Sequence, residues 1–218
     1  MRILINISAN KSSVPFDYQK NLVGTFHKWL GKNDLHDDVS LYSLSWLQGG
    51  ERVEDGLEFK SGAEWAISVY DTELLKKLIL NIQDDPEINF GMKVNGVTIC
   101  EEPEFKNKHR FVLNSPIFIK RQEGERTKFY LYSDKESGEL MTSTLKNKLK
   151  KAGIEQDGVK VYFDPNYHRP KTKKISFNGI DCRASMCPVI IEGTPEQLAF
   201  AWNVGVGNST GIGFGALK

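Results

Sequence analysis

The chain has 218 residues, 39% hydrophobic and 26% charged, with a formal net charge of +1. These values are ordinary for a soluble globular protein with one large domain or two of roughly 100 residues each. No apolar run approaches the roughly 20 residues of a membrane helix, and the alternating start Met1 to Ser8 is too short for a signal peptide.

The first half reads as β-α-β-β-α-β. Ile3, Ile5 and Ile7 alternate with Arg2, Leu4 and Asn6, as in a half-buried strand. A helix is predicted from about Phe16–Tyr18, with Leu22, Phe26, Trp29 and Leu30 as its apolar stripe and Gly31 as its stop. Ser40 to Trp46 reads as a second strand, and Leu57 to Phe59 with Trp65 to Tyr70 as a broken third. Asp71 caps a helix running to about Gln83, and Lys93 to Cys100 closes the half as a strand.

The second half repeats the grammar. Arg110 to Lys120 reads as one long strand, with Lys128 to Tyr132 as its pairing partner. Ser137 to Lys151 reads as a helix with Leu140, Leu145 and Leu149 inward and Lys146, Lys148, Lys150 and Lys151 exposed. Val159 to Phe163 is a strand. Lys173 to Asn178 and Arg183 to Glu192 form a hairpin around Asn178-Gly179. Thr194-Pro195-Glu196-Gln197 is a capping box opening a last helix, and Ile212 to Leu217 is a last strand. The fold class expected is α+β: two tandem ferredoxin-like, RRM-like domains, residues 1–104 and 105–218.

Charge divides with the halves. Residues 1–104 hold ten Lys/Arg against seventeen Asp/Glu, a net of −7, and residues 105–218 hold nineteen against eleven, a net of +8. A basic half in a neutral protein suits a polyanion. Cys100, Cys182 and Cys187 form no Cys-x-x-Cys pair, which argues against a disulfide framework or a zinc site and for a reducing, cytoplasmic setting.

Five glycines, Gly205, Gly207, Gly211, Gly213 and Gly215, fall within eleven positions after the last helix. Each would cost about 1 kcal/mol in a helix interior. They make a loop whose backbone can approach a ligand closely, at positive φ where needed, and turn N–H groups toward an anion such as phosphate. The plain alternative is a turn that feeds the last strand. A dinucleotide fingerprint fails, because Thr210 stands at its third glycine and the loop follows a helix instead of opening one. No Gly-Lys-Ser/Thr triplet exists, so no nucleotide cofactor is expected.

The pattern Gly-Val-Gly, five residues, Gly-Phe-Gly resembles the signature loop of the CRISPR-associated (Cas) family 6 endoribonucleases, within the RAMP superfamily. Ile191-Glu192-Gly193-Thr194-Pro195-Glu196 and Leu113-Asn-Ser-Pro-Ile-Phe-Ile119 resemble further family segments, as do Val14 to Gln19 and Leu35-His36-Asp37 near the start. The resemblance implies the same tandem fold and a soluble protein, monomer or homodimer. Its partners would be CRISPR repeat RNA and a CRISPR effector complex. It also implies metal-independent cutting through the RNA's own 2′-hydroxyl, leaving 2′,3′-cyclic phosphate and 5′-hydroxyl ends. The alternative is an inactive RAMP-type subunit that only holds guide RNA.

Histidine suits the acid or base of such a reaction, and the chain has four: His27, His36, His109 and His168. The resemblance places the catalytic one at His36, with His27 as competitor and Tyr42 or Tyr18 assisting. The lysine of a His-Tyr-Lys set is missing, since none follows His36 before Lys60. Lys32 is the nearest cation in sequence. No metal set surrounds the candidate residues. RNA contacts are expected from Lys120 and Arg121, from Arg169, Lys171, Lys173 and Lys174 on the hairpin, and from the five glycines. Tyr162, Phe163 and Tyr167 are candidates for base stacking.

Overall fold

The computed structural model describes residues 1–31, 39–177 and 179–218. In the first half the strands are β1 (Arg2–Ile7), β2 (Tyr42–Leu44), β3 (Glu51–Val53), β4 (Gly56–Glu58), β5 (Ala63–Val69) and β6 (Val94–Cys100). The helices are α1 (Gln19–Leu30) and α2 (Thr72–Asp84). The main sheet has the order β2-β5-β1-β6, all antiparallel, which is the ferredoxin-like arrangement. Of the broken third strand read from the sequence, the Trp65 to Tyr70 piece forms as β5, while Leu57 lies in β4, which pairs with β3 as a separate hairpin. α1 buries Leu22, Phe26, Trp29 and Leu30 and ends where Gly31 turns to φ 64°. α2 starts where the Asp71 carboxylate accepts the Glu73 N–H at 2.9 Å, and it buries Leu75, Leu78 and Ile82.

The second half contains β7 (Lys108–Phe111), β8 (Ile117–Glu123), β9 (Arg126–Tyr130), α3 (Ser137–Ala152), β10 (Lys160–Phe163), β11 (Lys171–Phe177), β12 (Ile180–Met186), β13 (Val189–Glu192) and α4 (Pro195–Val204). β7, α3, β10, β13 and α4 repeat the ferredoxin-like unit, with sheet order β10-β13-β7. A second sheet, β11-β12-β8-β9, extends from it. The capping box at Thr194 is complete, with both Thr194 and Gln197 bonding back to the backbone.

Three expected strands are corrected. Residues 110–120 break into β7 and β8, which enter different sheets. Pro116 has no N–H for a ladder, and Asn114 and Ser115 both donate to the Ala216 carbonyl. Residues 183–192 break at Cys187-Pro188 into β12 and β13 for the same lack of a donor. The final strand is reduced to a 3-10 turn at Thr210–Ile212 and a single bridge between Leu113 and Leu217. Gly213 and Gly215, at φ 92° and 62°, cannot continue an extended strand.

The two halves share an interface. α4 lies on the face of the first sheet that α1 and α2 leave open. The Arg2 guanidinium sits 3.8 Å from the Trp202 ring centroid and donates to the carbonyls of Trp202 and Leu217 and to the Ser68 hydroxyl. Ser43 donates to Asn203 O at 3.0 Å, and Tyr70 meets Phe200 edge-on. No helix among the described residues is long and apolar enough to cross a membrane.

Candidate functional site

The glycine loop leaves the end of α4 and returns beside β8, closing one wall of a cavity of about 480 Å³. The opposite wall is the chain entering β2, with Val39, Ser40 and Tyr42, and the floor is α3 with Arg121 of β8. Asn208 ties the loop to β8: its side-chain oxygen accepts the Lys120 N–H (2.9 Å) and the Arg121 guanidinium (3.2 Å). Arg121 is locked further by donating to Leu140 O and Thr144 on α3. Lys151 of α3 donates to Val39 O, so α3 also holds the β2 wall.

Lys148 is buried beneath the loop. Its ammonium donates to Val204 O (2.8 Å), Gly205 O (3.4 Å) and the Thr210 hydroxyl (2.8 Å), and Thr210 in turn donates to Tyr42 O. The carbonyls at the end of α4 lack helical donors and carry the negative end of its dipole, which is why a cation settles there. Burial pulls the Lys148 pKa down to about 7.

Ser209 adopts the left-handed conformation (φ 61°, ψ 36°), and Thr210 follows in the right-handed 3-10 turn. A left-handed residue followed by a right-handed one turns three successive N–H groups, those of Ser209, Thr210 and Gly211, into one concavity that accepts an anion. These three N–H groups make no hydrogen bond among the described residues, and all three residues line the cavity. Unused N–H groups are rare in buried backbone.

The other glycines have different roles. Gly205 and Gly215 hold the loop against itself. A Cβ on Gly205 would sit 2.6 Å from the Gly215 carbonyl, and one on Gly215 would collide with the Val206 carbonyl. Gly207 passes close to the Phe118 carbonyl, and Gly213 has room around it. Gly211 was expected to need positive φ along with its neighbours. It does not adopt it; a Cβ there would instead meet the Ser40 hydroxyl at 2.5 Å and the Tyr42 hydroxyl at 2.8 Å.

Of the residues singled out in the sequence, Tyr42 and Arg121 line the cavity with Gly207 and Gly211. The Tyr42 hydroxyl bonds Ser40, and burial raises its pKa. Tyr18 is core: it is 2% exposed, its hydroxyl accepts the Leu47 N–H, and burial drives its pKa upward. His27 is half-buried on α1 with its ring 5.6 Å from that of Phe26, and does not line the cavity. His36 and Lys32 lie outside the described residues.

On the hairpin, pairing of Lys173 with Ala184 and of Ala184 with Phe118 puts Lys171, Lys173 and Lys120 on one face. Lys174 is on the other, paired with Asp181 at 2.7 Å. Arg169 is exposed in the loop before β11. Tyr162 bonds Glu192 through its hydroxyl, and Phe163 is partly buried in the core.

Lys148, Ser209 and Asn208 were missed as site residues. Lys148 reads as one more surface lysine of a polar helix, and nothing local reveals the α4 terminus it meets. The Asn-Ser-Thr stretch between glycines was the available signal for the other two.

The family model described as CRISPR associated protein Cas6, C-terminal, matches residues 100–218. Among solved structures, the chain is similar to a Cas6-related protein from Pyrococcus furiosus at 20% identity, covering 100% of this chain and 97% of that one, with a TM-score of 0.87. It is also similar to a structure titled CRISPR associated protein Cas6, at 22% identity, 100% and 98% coverage and a TM-score of 0.82. A third, described as a RAMP protein binding different RNA substrates, gives 18% identity, 100% and 98% coverage and a TM-score of 0.85. At these identities the structural matches establish the fold, tandem ferredoxin-like. Among curated proteins no sequence match was found. With the family model covering more than half of its residues, the chain belongs to the Cas6 family of CRISPR-associated proteins.

Proposed function

We propose that this protein is an endoribonuclease that cuts CRISPR repeat RNA in the cavity between the glycine loop and β2. The observation that carries the reading is the three-N–H concavity at Ser209, Thr210 and Gly211, which suits a phosphate. Arg121 adds positive charge, Lys148 holds the loop from beneath, and Tyr42 and Ser40 add hydroxyls on the facing wall. The reading is also supported by the RNA-binding description of one similar structure and by a similar Cas6 structure titled a product complex.

In this account residues 1–104 carry the histidine and residues 105–218 the phosphate-binding surface. His36 precedes Val39, which lines the cavity, by three residues. It takes the proton of the 2′-hydroxyl. The O2′–P bond forms as the P–O5′ bond breaks, a proton returns to O5′, and the ends are 2′,3′-cyclic phosphate and 5′-hydroxyl. The loop N–H groups and the Arg121 guanidinium stabilise the charge that builds on the non-bridging oxygens. Arg121, contributed by the other half, fills the place of the lysine missing after His36.

Replacement of His36 by Ala tests the assignment. Single-turnover cleavage of the host's repeat RNA is expected to fall by about a hundredfold or more with affinity nearly unchanged, and His27→Ala to do less. If neither change slowed cleavage, the histidine assignment would fail. A wild-type protein that bound the RNA without cutting it would instead be the guide-holding RAMP subunit.

A further inference from the structure

A second groove adjoins the cavity. It lies between α3 and β10, has a volume of about 630 Å³, and shares Ser143 and Asn147 with the cavity. These two residues are one turn apart on α3, so the two depressions meet across a single helix ridge. Three lysines line the groove: Lys135 before α3, Lys146 on α3 and Lys160 on β10. None of them forms an ion pair among the described residues, whereas Lys28, Lys76, Lys93, Lys108, Lys128 and Lys174 all do. Glu139 is the one acidic residue in the lining. Three lysines on one groove, with Glu139 in the lining and Glu192 across the sheet from Lys160, leave a net positive field that favours a chain of negative charges.

The local packing argues against a peptide occupant. β10 is the edge of its sheet, and an open edge invites a partner strand. Here Thr142 of α3 closes that edge: its hydroxyl accepts the Val161 N–H at 2.9 Å, donates to the Gly138 carbonyl at 2.8 Å and lies 3.3 Å from Val161 O. Gly138 lets the helix come this close, since a Cβ there would sit 3.3 Å from Val161 O. The groove therefore offers lysine side chains and amide or hydroxyl groups, with no free strand edge at Val161.

We propose that the groove between α3 and β10 is a second RNA site, which takes the phosphodiester backbone of a single-stranded segment as it leaves the glycine-loop cavity over Ser143 and Asn147. The proposal rests on the RNA reading above and deepens it by giving the strand a path. Lys135, Lys146 and Lys160 each neutralise a phosphate, and Tyr162, on the same wall, borders the path.

The test compares wild type with a Lys135→Gln, Lys146→Gln, Lys160→Gln triple variant, measuring affinity for the host's repeat RNA across a salt series. The variant is expected to bind more weakly, with a log–log salt slope shallower by about 0.7 for each phosphate of a single strand that is no longer neutralised. In a second measurement on wild type alone, acetylation of the three lysines is expected to be slowed by bound RNA. Superposed binding curves, or acetylation that RNA does not slow, would overturn the groove while leaving the cavity reading intact. Superposed curves are also the result if the groove serves an acidic protein. A wild-type protein that did not bind the RNA at all would instead overturn the RNA reading on which the groove rests.

Discussion

A Cβ on Gly211 would press on the Ser40 and Tyr42 hydroxyls, so this glycine sets how closely the loop approaches β2. Tyr42 cannot yield easily, being 4% exposed with its ring 4.8 Å from that of Phe26. Gly211→Val should therefore push the two walls apart. Overpacking of this kind costs about 1–3 kcal/mol, a fall of several degrees in Tm for a chain of this size. RNA affinity should drop about tenfold, comparable to losing one hydrogen bond to a charged group. Tm and Kd on the same preparation check this, and normal binding by a folded variant would remove the concavity from the site. Lys148 gives a pH prediction. Its folded pKa of about 7 lies below the ordinary lysine value of 10.5, so between these values the unfolded chain holds a proton that the folded chain lacks. This group destabilises the fold fully below pH 7, and the penalty fades as pH rises toward 10.5. Wild type should thus gain stability relative to Lys148→Met between pH 7 and pH 9, read as a steady shift in the difference between their urea midpoints; parallel pH profiles would contradict the depressed pKa. Neither feature was legible locally. The glycine run announced close approach but not which glycine faces the cavity, and the helix pattern around Lys148 carries no trace of the α4 terminus that it caps.

At the scale of elements, the helices were legible because their signals are local: the stripe from Leu22 to Leu30 ending at Gly31, the Asp71 cap and the Thr194 capping box. The strands that broke did so at Pro116 and at Cys187-Pro188, where a continuous apolar alternation hid a missing N–H. Strand register also divided the basic hairpin. Lys171 and Lys173 share a face with Lys120, whereas Lys174 points away and pairs with Asp181. If that face contacts RNA, replacing Lys171 and Lys173 with Ala should weaken binding and flatten the salt dependence by about 0.7–0.9 of a slope unit for each phosphate left unneutralised. Lys174→Ala should change little. A larger effect from Lys174 than from the other two would mean that the opposite face meets the RNA.

At the scale of the molecule, the repeated β-α-β-β-α-β order was legible, because each unit keeps its own hydrophobic periodicity. The way the units join was not. Arg2 reads as the polar partner of an alternating strand, yet it is 5% exposed, stacked on Trp202 and bonded to the Leu217 carbonyl. Its partners lie some 200 residues away, so no window of sequence could reveal them. That junction brings β2 of the first half against the glycine loop of the second, and the cavity exists only because both halves supply a wall. The central claim, that this shared cavity cuts RNA through the substrate's own 2′-hydroxyl, is tested most directly with the host's repeat RNA in EDTA. The account predicts cleavage that survives chelation, leaves 2′,3′-cyclic phosphate and 5′-hydroxyl ends, and disappears when hydrogen replaces the 2′-hydroxyl beside the cut. Cleavage that required added Mg²⁺ or Mn²⁺, or that persisted on the 2′-deoxy substrate, would contradict it.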